Sequence, residues 1–344
     1  MNKAQMKKVF WMLFSTALSI LTVGTLLKQS ETMSVETLIE KIGNADLRWI
    51  IIAMICSVGY VIFEAVALCS ILKGLGHRKR INNGIIYSTA DVYFSAITPS
   101  ATGGQPASAF FMVRDGIPAG VASAALILNL MMYNASIVFL GVIAIIIAPT
   151  SFMGFKLSSK ILIVLGFVGL SLLSLFFLSV LKASDKIFST IRRFLNFLYA
   201  KKIVHKLEHK LEKLDKIEAD YNNCSALISG KNKIMRKAFL WNVIQRASQI
   251  IVPTLVFISM GGSGRLSKLL FAKQCLITIG YNYVPIPGAL GIADYLMIDG
   301  FSNLMTEGLA YELDMISRGL TFYICVALSG LITLFGYLKG RKKR

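Results

Sequence analysis

Six ionisable residues stand where the sequence is otherwise apolar: Glu64, Asp91, Arg246, Lys273, Asp294 and Arg318. A charge at the centre of a hydrocarbon-embedded helix costs about 2.5–3.5 kcal/mol, so each needs a partner, a ligand or water. Three acids and three bases leave two readings open. In one they neutralise each other in a packed interior. In the other a cation receives a lipid phosphate, while an acid answers a cationic headgroup or carries a proton. Arg318 stands three residues into its expected helix, close enough to the interface to snorkel.

Two segments rich in proline and glycine interrupt apolar runs before those runs can cross a bilayer. Residues 84–98 extend only about 22 Å as a helix before Pro99, Ser100, Thr102, Gly103, Gly104, Gln105 and Pro106 break them, and Ala107 to Val113 lead back to Arg114-Asp115. In the second half, Leu269 to Val284 precede Pro285, Pro287, Gly288 and Gly291. Proline removes a donor and glycine permits a tight turn, so these breaks leave N–H and C=O groups that lipid cannot satisfy. A helix starting after such a break points its partly positive N-terminus inward, which favours an anion such as phosphate. Ser100, Thr102 and Gln105 add neutral polar contacts. Kinked and tightly packed helices also use these residue types.

The elements that position these residues are spanning helices. With 55% apolar and 16% charged residues, the composition is that of a chain whose solvent is the bilayer rather than water. Charge-free length places crossings near 9–27, 49–72, 117–148, 161–181, 238–259 and 315–338; a core of about 30 Å needs about 20 residues. The run 9–27 reads as a retained anchor, because no small-residue cleavage pattern follows it. The run 117–148 is long for one crossing and is also readable as two, broken near Tyr133-Asn134. Lys and Arg gather on the cytoplasmic side of short loops. An N-terminus inside puts 27 of the 37 basic residues there and seven opposite, beside Glu307, Glu312 and Asp314. Both termini are then expected in the cytoplasm. The reading is a single all-α polytopic domain of about six spanning helices with two Pro/Gly-broken re-entrant hairpins, one from each face, the inverted-repeat pattern of transporters. Its parts are a first half 1–181, a basic cytoplasmic insert 182–237, a second half 238–338 and a basic tail 339–344.

The net charge of +19 belongs to segments flanking apolar spans, so topology and anionic headgroups account for it and no nucleic-acid partner is expected. In 182–237, Ile203, Leu207, Leu211, Leu214, Ile217 and Tyr221 recur at helical spacing, an amphipathic hairpin at the membrane surface. It serves either as a solvated connector or as a partner-binding element. The five cysteines form no CxxC pair, and His205 and His209 lack a third ligand, so neither metal nor cofactor is expected. There is no Walker-type glycine loop, which leaves a downhill or ion-coupled process.

The stretches Thr98-Pro-Ser-Ala-Thr-Gly-Gly-Gln-Pro-Ala-Ser-Ala-Phe-Phe-Met112 and Pro285-Ile-Pro-Gly-Ala-Leu-Gly-Ile-Ala-Asp294 resemble the lysylphosphatidylglycerol synthase transmembrane family, also called flippase-like, which includes the membrane half of the multiple peptide resistance factor. The likeness runs over about 10–338. It implies a bacterial or archaeal inner-membrane protein handling lipids or lipid-linked substrates. In the best-known relatives this half moves lysyl-phosphatidylglycerol between leaflets and so lessens attraction of cationic antimicrobial peptides. The long relatives carry a soluble domain that transfers lysine from its tRNA to phosphatidylglycerol. The expectation here is the membrane half without it. Asp294 stands where many relatives carry glutamate.

The leading expectation is a lipid flippase or transporter for an anionic phospholipid or a lipid-linked substrate, with no catalytic residues of its own. Two rivals stand beside it: a membrane subunit of a phosphatidylglycerol lysyltransferase that works with a separate synthase, and an envelope scaffold acting through 182–237. Lysyl-lipid formed from lysyl-tRNA by the purified chain would favour the first rival. A phenotype lost with the insert's charges would favour the second.

Overall fold

The computed structural model describes residues 43, 45–98, 101–182, 184–200, 207–230, 232–284, 289 and 291–341. All regular elements among them are helical: α1 (Leu47–Gly74), α2 (Ile81–Ile97), α3 (Gly104–Arg114), α4 (Ala119–Ile147), α5 (Leu157–Lys182), α6 (Ser184–Ala200), α7 (Leu207–Gly230), α8 (Asn232–Ile250), α9 (Val252–Ser259), α10 (Ser267–Asn282), α11 (Ile292–Phe301), α12 (Glu307–Arg318), a π-helical segment (Gly319–Ile324) and α13 (Cys325–Arg341). Local chemistry sets the ends. The Asp46 carboxylate accepts from the Arg48 N–H at 3.0 Å at the start of α1. Gly76, at φ 90°, lets the chain turn so that the His77 N–H reaches the Leu72 carbonyl at 2.8 Å, a glycine helix stop. α4 runs between Pro118 and Pro149.

α1, α4, residues Leu157–Ser179 of α5 and the run Glu307–Lys339 are long and apolar enough to cross a membrane. The protein is an integral membrane protein. α5 turns Ile161, Leu165, Val168, Leu172 and Phe176 outward, as a helix in hydrocarbon does. The stretch 117–148 is one helix, unbroken at Tyr133-Asn134. The stretch 238–259 is built from α8 and α9, which meet at Ile251 because Pro253 cannot donate to the ladder. It carries Arg246 and lies outside the four apolar spans. The last crossing begins earlier than charge-free length suggests, at Glu307, and places Arg318 at the end of a full helix rather than near an interface. The expected crossing at 9–27 lies outside the described residues.

α1 and α8–α9 run antiparallel along their lengths. The Asp46 N–H donates to the Ser259 carbonyl at 2.8 Å, Gly59 lies against Ser248, and Gly74 lies against Ile234. α2 and α3 form a hairpin whose open end is at the Gly74 end of α1. There Asp115, just after α3, accepts from Asn83 Nδ2 at 2.6 Å and from the Tyr87 hydroxyl at 2.7 Å, both on the first half of α2. α10 and α11 form a second hairpin, with Gly280 opposite Leu296 and Gly300 opposite Ile277. It starts just after Ser259, at the Leu47 end of α1. The two hairpins therefore open at opposite ends of the bundle and point their tips toward each other.

α4 is the central post, packed against α1, α5, α7, α8 and α10. Two close approaches fix α10 against it and against α5: a Cβ on Gly141 would lie 2.1 Å from Ile279 Cδ1, and one on Gly166 would lie 2.3 Å from the Ile279 carbonyl oxygen. The latter neighbour is backbone and has nowhere to go. Gly166→Ala is expected to lower stability by about 1–3 kcal/mol through overpacking, read as a fall in the thermal unfolding midpoint.

Beyond α5, α6 and α7 pair through Arg192, which bonds Asp215 at 2.7 Å and also contacts Glu218, and through the Phe188 and Tyr221 rings. Leu214 and Tyr221 of the amphipathic stripe are buried against this core, so part of that stripe covers protein. Ile203 lies outside the described residues.

Candidate functional site

The first hairpin tip forms because Thr98, held extended at φ −112° and ψ 144°, precedes Pro99, and a residue before proline avoids the helical region. The Thr98 hydroxyl donates to the Phe94 carbonyl at 2.6 Å and accepts from the Gly103 N–H at 2.9 Å, tying the end of α2 to the start of α3. Gly104 is buried against Asp91 and Ser95, and Gln105 Nε2 donates to Asp91 Oδ2 at 2.9 Å. Pro106 occupies the first turn of α3, where its missing N–H costs nothing.

The second tip follows Asn282, whose side-chain amide donates to the Thr278 carbonyl at 2.8 Å and whose oxygen accepts from the Tyr133 hydroxyl at 3.1 Å. α11 then starts at Gly291, φ 79°. Asp294 Oδ2 accepts the Gly291 N–H at 2.8 Å, and Asp294 Oδ1 accepts from Arg318 Nε at 2.8 Å. One acid thus caps a helix and neutralises a cation. Each tip also holds an alanine in the left-handed region, Ala101 at φ 54° and Ala289 at φ 51°, a conformation costing about 1–2 kcal/mol in a residue with a Cβ and found where function demands a particular path of the chain.

Both alanines face one cavity of about 220 Å³, lined also by Tyr60, Tyr133, Arg246, Gln249, Gln274 and Arg318. Tyr60 and Tyr133 lie at the midpoints of α1 and α4, each about 20 Å from its helix ends. The cavity therefore lies midway along these two helices. The π-helical turn supplies Thr321 and Phe322 to its wall. Widened turns of this kind free carbonyls and recur at functional sites; here the Ser57 hydroxyl donates to the Leu320 carbonyl at 2.8 Å.

Arg246 is the unusual member. It is 2% exposed, its guanidinium lies 3.7 Å from the Tyr133 ring centroid and 5.1 Å from that of Tyr60, and Nη1 donates to Gln249 Oε1 at 2.6 Å. Nε has no hydrogen-bond partner, and among the described residues no carboxylate pairs with it. Two aromatic faces offset part of the desolvation of a cation. They supply no counter-charge.

Mutual neutralisation of the six ionisable groups holds only for Asp294 with Arg318. Glu64 and Asp91 lie side by side. Lys273, 2% exposed, lies outside the cavity with its ammonium 4.6 Å from the Phe155 ring centroid and no hydrogen-bond partner. Asp314, placed by the sequence among external acids, is 7% exposed inside the bundle. Arg318 is 8% exposed and paired, so it does not snorkel. Asp294→Asn removes that ion pair. Because the Asp294 side chain is 32% exposed, the expected loss is about 2 kcal/mol rather than the 3–5 kcal/mol of a fully buried pair, and Arg318→Met in the same chain should recover part of it in thermal unfolding.

Residues 12–329 match the family described as Lysylphosphatidylglycerol synthase TM region. The chain belongs to that family. It is also similar to a UPF0104 membrane protein of Archaeoglobus fulgidus, 21% identical over 333 residues covering 90% of this chain and 96% of that one. A UPF0104 membrane protein of Pyrococcus horikoshii is 22% identical over 315 residues, covering 87% and 90%. No solved structure matches the chain. The family match spans both hairpins, the insert and the π-helical turn. Of the candidates on the two broken segments, Thr102, Gly103, Gly104, Gln105, Pro106 and Gly291 are described, whereas Pro99, Ser100, Pro285, Pro287 and Gly288 lie outside the described residues. Sequence reasoning singled out charges and breaks and missed the neutral groups that hold Arg246, Tyr60, Tyr133 and Gln249, and Gln274 on the cavity wall. Tyrosine and glutamine inside apolar helices were the available signal.

Proposed function

We propose that this chain moves the headgroup of an anionic phospholipid or lipid-linked substrate, lysyl-phosphatidylglycerol and polyprenyl-phosphate sugars among the candidates, between the leaflets of the cytoplasmic membrane. The observation that carries this reading is Arg246: a cation buried midway along α1 and α4, with an unused donor and, among the described residues, no ion-pair partner, in a cavity floored by both hairpin tips. A phosphate would supply the missing charge and accept from the guanidinium, a charge-assisted bond. A volume of about 220 Å³ suits a headgroup and excludes a whole lipid, so acyl chains stay in the bilayer.

In this reading the chain makes six crossings, the hairpins are re-entrant from opposite faces, and the halves 1–181 and 238–338 rock about the cavity to expose it alternately. Both termini and the basic insert then lie in the cytoplasm, where anionic lipid holds them. The left-handed alanines support it, because a strained tip is one that can relax into a second state. The test is headgroup translocation in proteoliposomes with labelled phosphatidylglycerol, lysyl-phosphatidylglycerol and a polyprenyl-phosphate sugar. One of them should cross faster than in protein-free vesicles. If none does, with the protein folded, transport of these lipids is ruled out.

A further inference from the structure

Arg246 has no ion-pair partner among the described residues, yet it lies within electrostatic reach of Glu64. Glu64 of α1, 4% exposed, and Asp91 of α2 lie side by side, because Ser88, whose hydroxyl bonds Glu64, stands one helical turn before Asp91 on the same face of α2. The polar contacts of the pair come from donors. Ser88 Oγ donates to Glu64 Oε2 at 3.0 Å and Gln245 Nε2 at 3.3 Å. Ser95 Oγ donates to Asp91 Oδ1 at 3.3 Å and Gln105 Nε2 to Asp91 Oδ2 at 2.9 Å. Among the described residues neither carboxyl has a Lys or Arg in ion-pair contact. The charged and titratable groups facing the pair are Tyr60 on α1 and Arg246 on α8; Cys325 on α13 faces Tyr60, the titratable group of α4 nearby is Tyr133, stacked on Arg246, and α3 contributes the neutral Gln105. Two carboxylates side by side and away from water do not both keep their charge.

We propose that Glu64 and Asp91 together form a proton-binding site, and that this proton is the ion coupled to headgroup movement; the second half of the proposal rests on the transport reading above. The pair connects the two moving parts. Asp91 is bonded to Gln105 and packed against Gly104 at the first hairpin tip. Glu64 is bonded to Gln245, the neighbour of Arg246 on α8. Gain or loss of the proton alters the charge that holds α3 on α2 and the field at the cation that receives the headgroup. The proton comes from water and returns to water; no covalent step is involved.

Infrared spectroscopy of the protein in lipid bilayers reads the site without any substrate. A protonated-carboxyl C=O band is expected at neutral pH, absent in Glu64→Gln. Asp91→Asn, which offers an amide hydrogen where the pair shares a proton, should remove it as well and serves if Glu64→Gln does not fold. A wild-type spectrum without a band assignable to Glu64 overturns the site. For coupling, labelled phosphatidylglycerol and lysyl-phosphatidylglycerol movement is followed under an imposed pH gradient and, separately, a sodium gradient. Acceleration by the pH gradient in the wild type, abolished in Glu64→Gln, supports it. Movement that ignores the pH gradient, or answers sodium instead, overturns it. Absence of any lipid movement counts against the transport reading and leaves the infrared result to decide the proton site alone.

Discussion

Arg246→Met abolishes headgroup movement while leaving the protein at least as heat-stable as the wild type. The wild-type cation is buried, has no ion-pair partner among the described residues and leaves Nε unpaired. Its burial cost of about 2.5–3.5 kcal/mol is comparable with the combined gain from two cation–π contacts of about 0.5–2 kcal/mol each, so the cation adds little net stability. Methionine fills similar volume without that penalty, so the unfolding midpoint should stay level or rise. A substrate phosphate loses its counter-charge, and truncating one member of a desolvated charge pair costs about 2–5 kcal/mol, roughly 30-fold or more in the initial translocation rate. Arg246→Lys keeps the charge and loses the planar face against Tyr133, so it should fall between the two. Level or raised stability with loss of transport marks a functional cation. A structural one would lose both together.

Gly104→Val should be the most damaging single substitution at the first hairpin. A Cβ there would lie 2.0 Å from Asp91 Oδ1, 2.0 Å from Ser95 Oγ and 2.6 Å from the Asp91 carbonyl oxygen. The two side chains are held by Gln105 and by each other, and the carbonyl belongs to α2, so α3 must lift off its partner. Overpacking of this kind costs about 3 kcal/mol or more when backbone must move. The expected result is a thermal midpoint well below wild type. Gly308 is the control: it sits in the first turn of α12 with nothing within 4 Å of a built Cβ, and Gly308→Ala should change stability by less than about 0.5 kcal/mol. Equal effects at the two glycines would mean that α3 does not pack on α2 as described.

The breaks were legible in the sequence because proline and glycine act locally: Thr98 is extended because Pro99 follows it, and α11 starts at Gly291 because the chain must turn there. The long apolar runs were equally legible, and α4 settles as one helix because nothing at Tyr133-Asn134 interrupts its ladder. Partner choice was not legible. Glu64 reaches Gln245 across 181 residues of chain and Tyr133 reaches Asn282 across 149, and no local pattern encodes such meetings. Opposite charges at equal number suggested neutralisation, yet acid met acid at Glu64 and Asp91 while Arg246 met aromatic rings. Asp314 read as an external acid because charge-free counting starts the helix after it, whereas the Thr306 hydroxyl accepts from the Leu309 N–H and starts α12 earlier. The π-helical turn at Gly319–Ile324 carries no breaker residue that would announce it beyond Gly319.

The central claim is that a headgroup passes between the two hairpin tips beside Arg246. The direct measurement is photo-crosslinking in bilayers with phosphatidylglycerol and lysyl-phosphatidylglycerol carrying a photoreactive headgroup, with the adducts located by mass spectrometry. The account predicts adducts at cavity residues from both sides, Tyr133 and Gln274 together with Ala101 or Ala289, lost in Arg246→Met. Adducts confined to the lipid-facing surfaces of α5 and α13, unchanged in that variant, would contradict it.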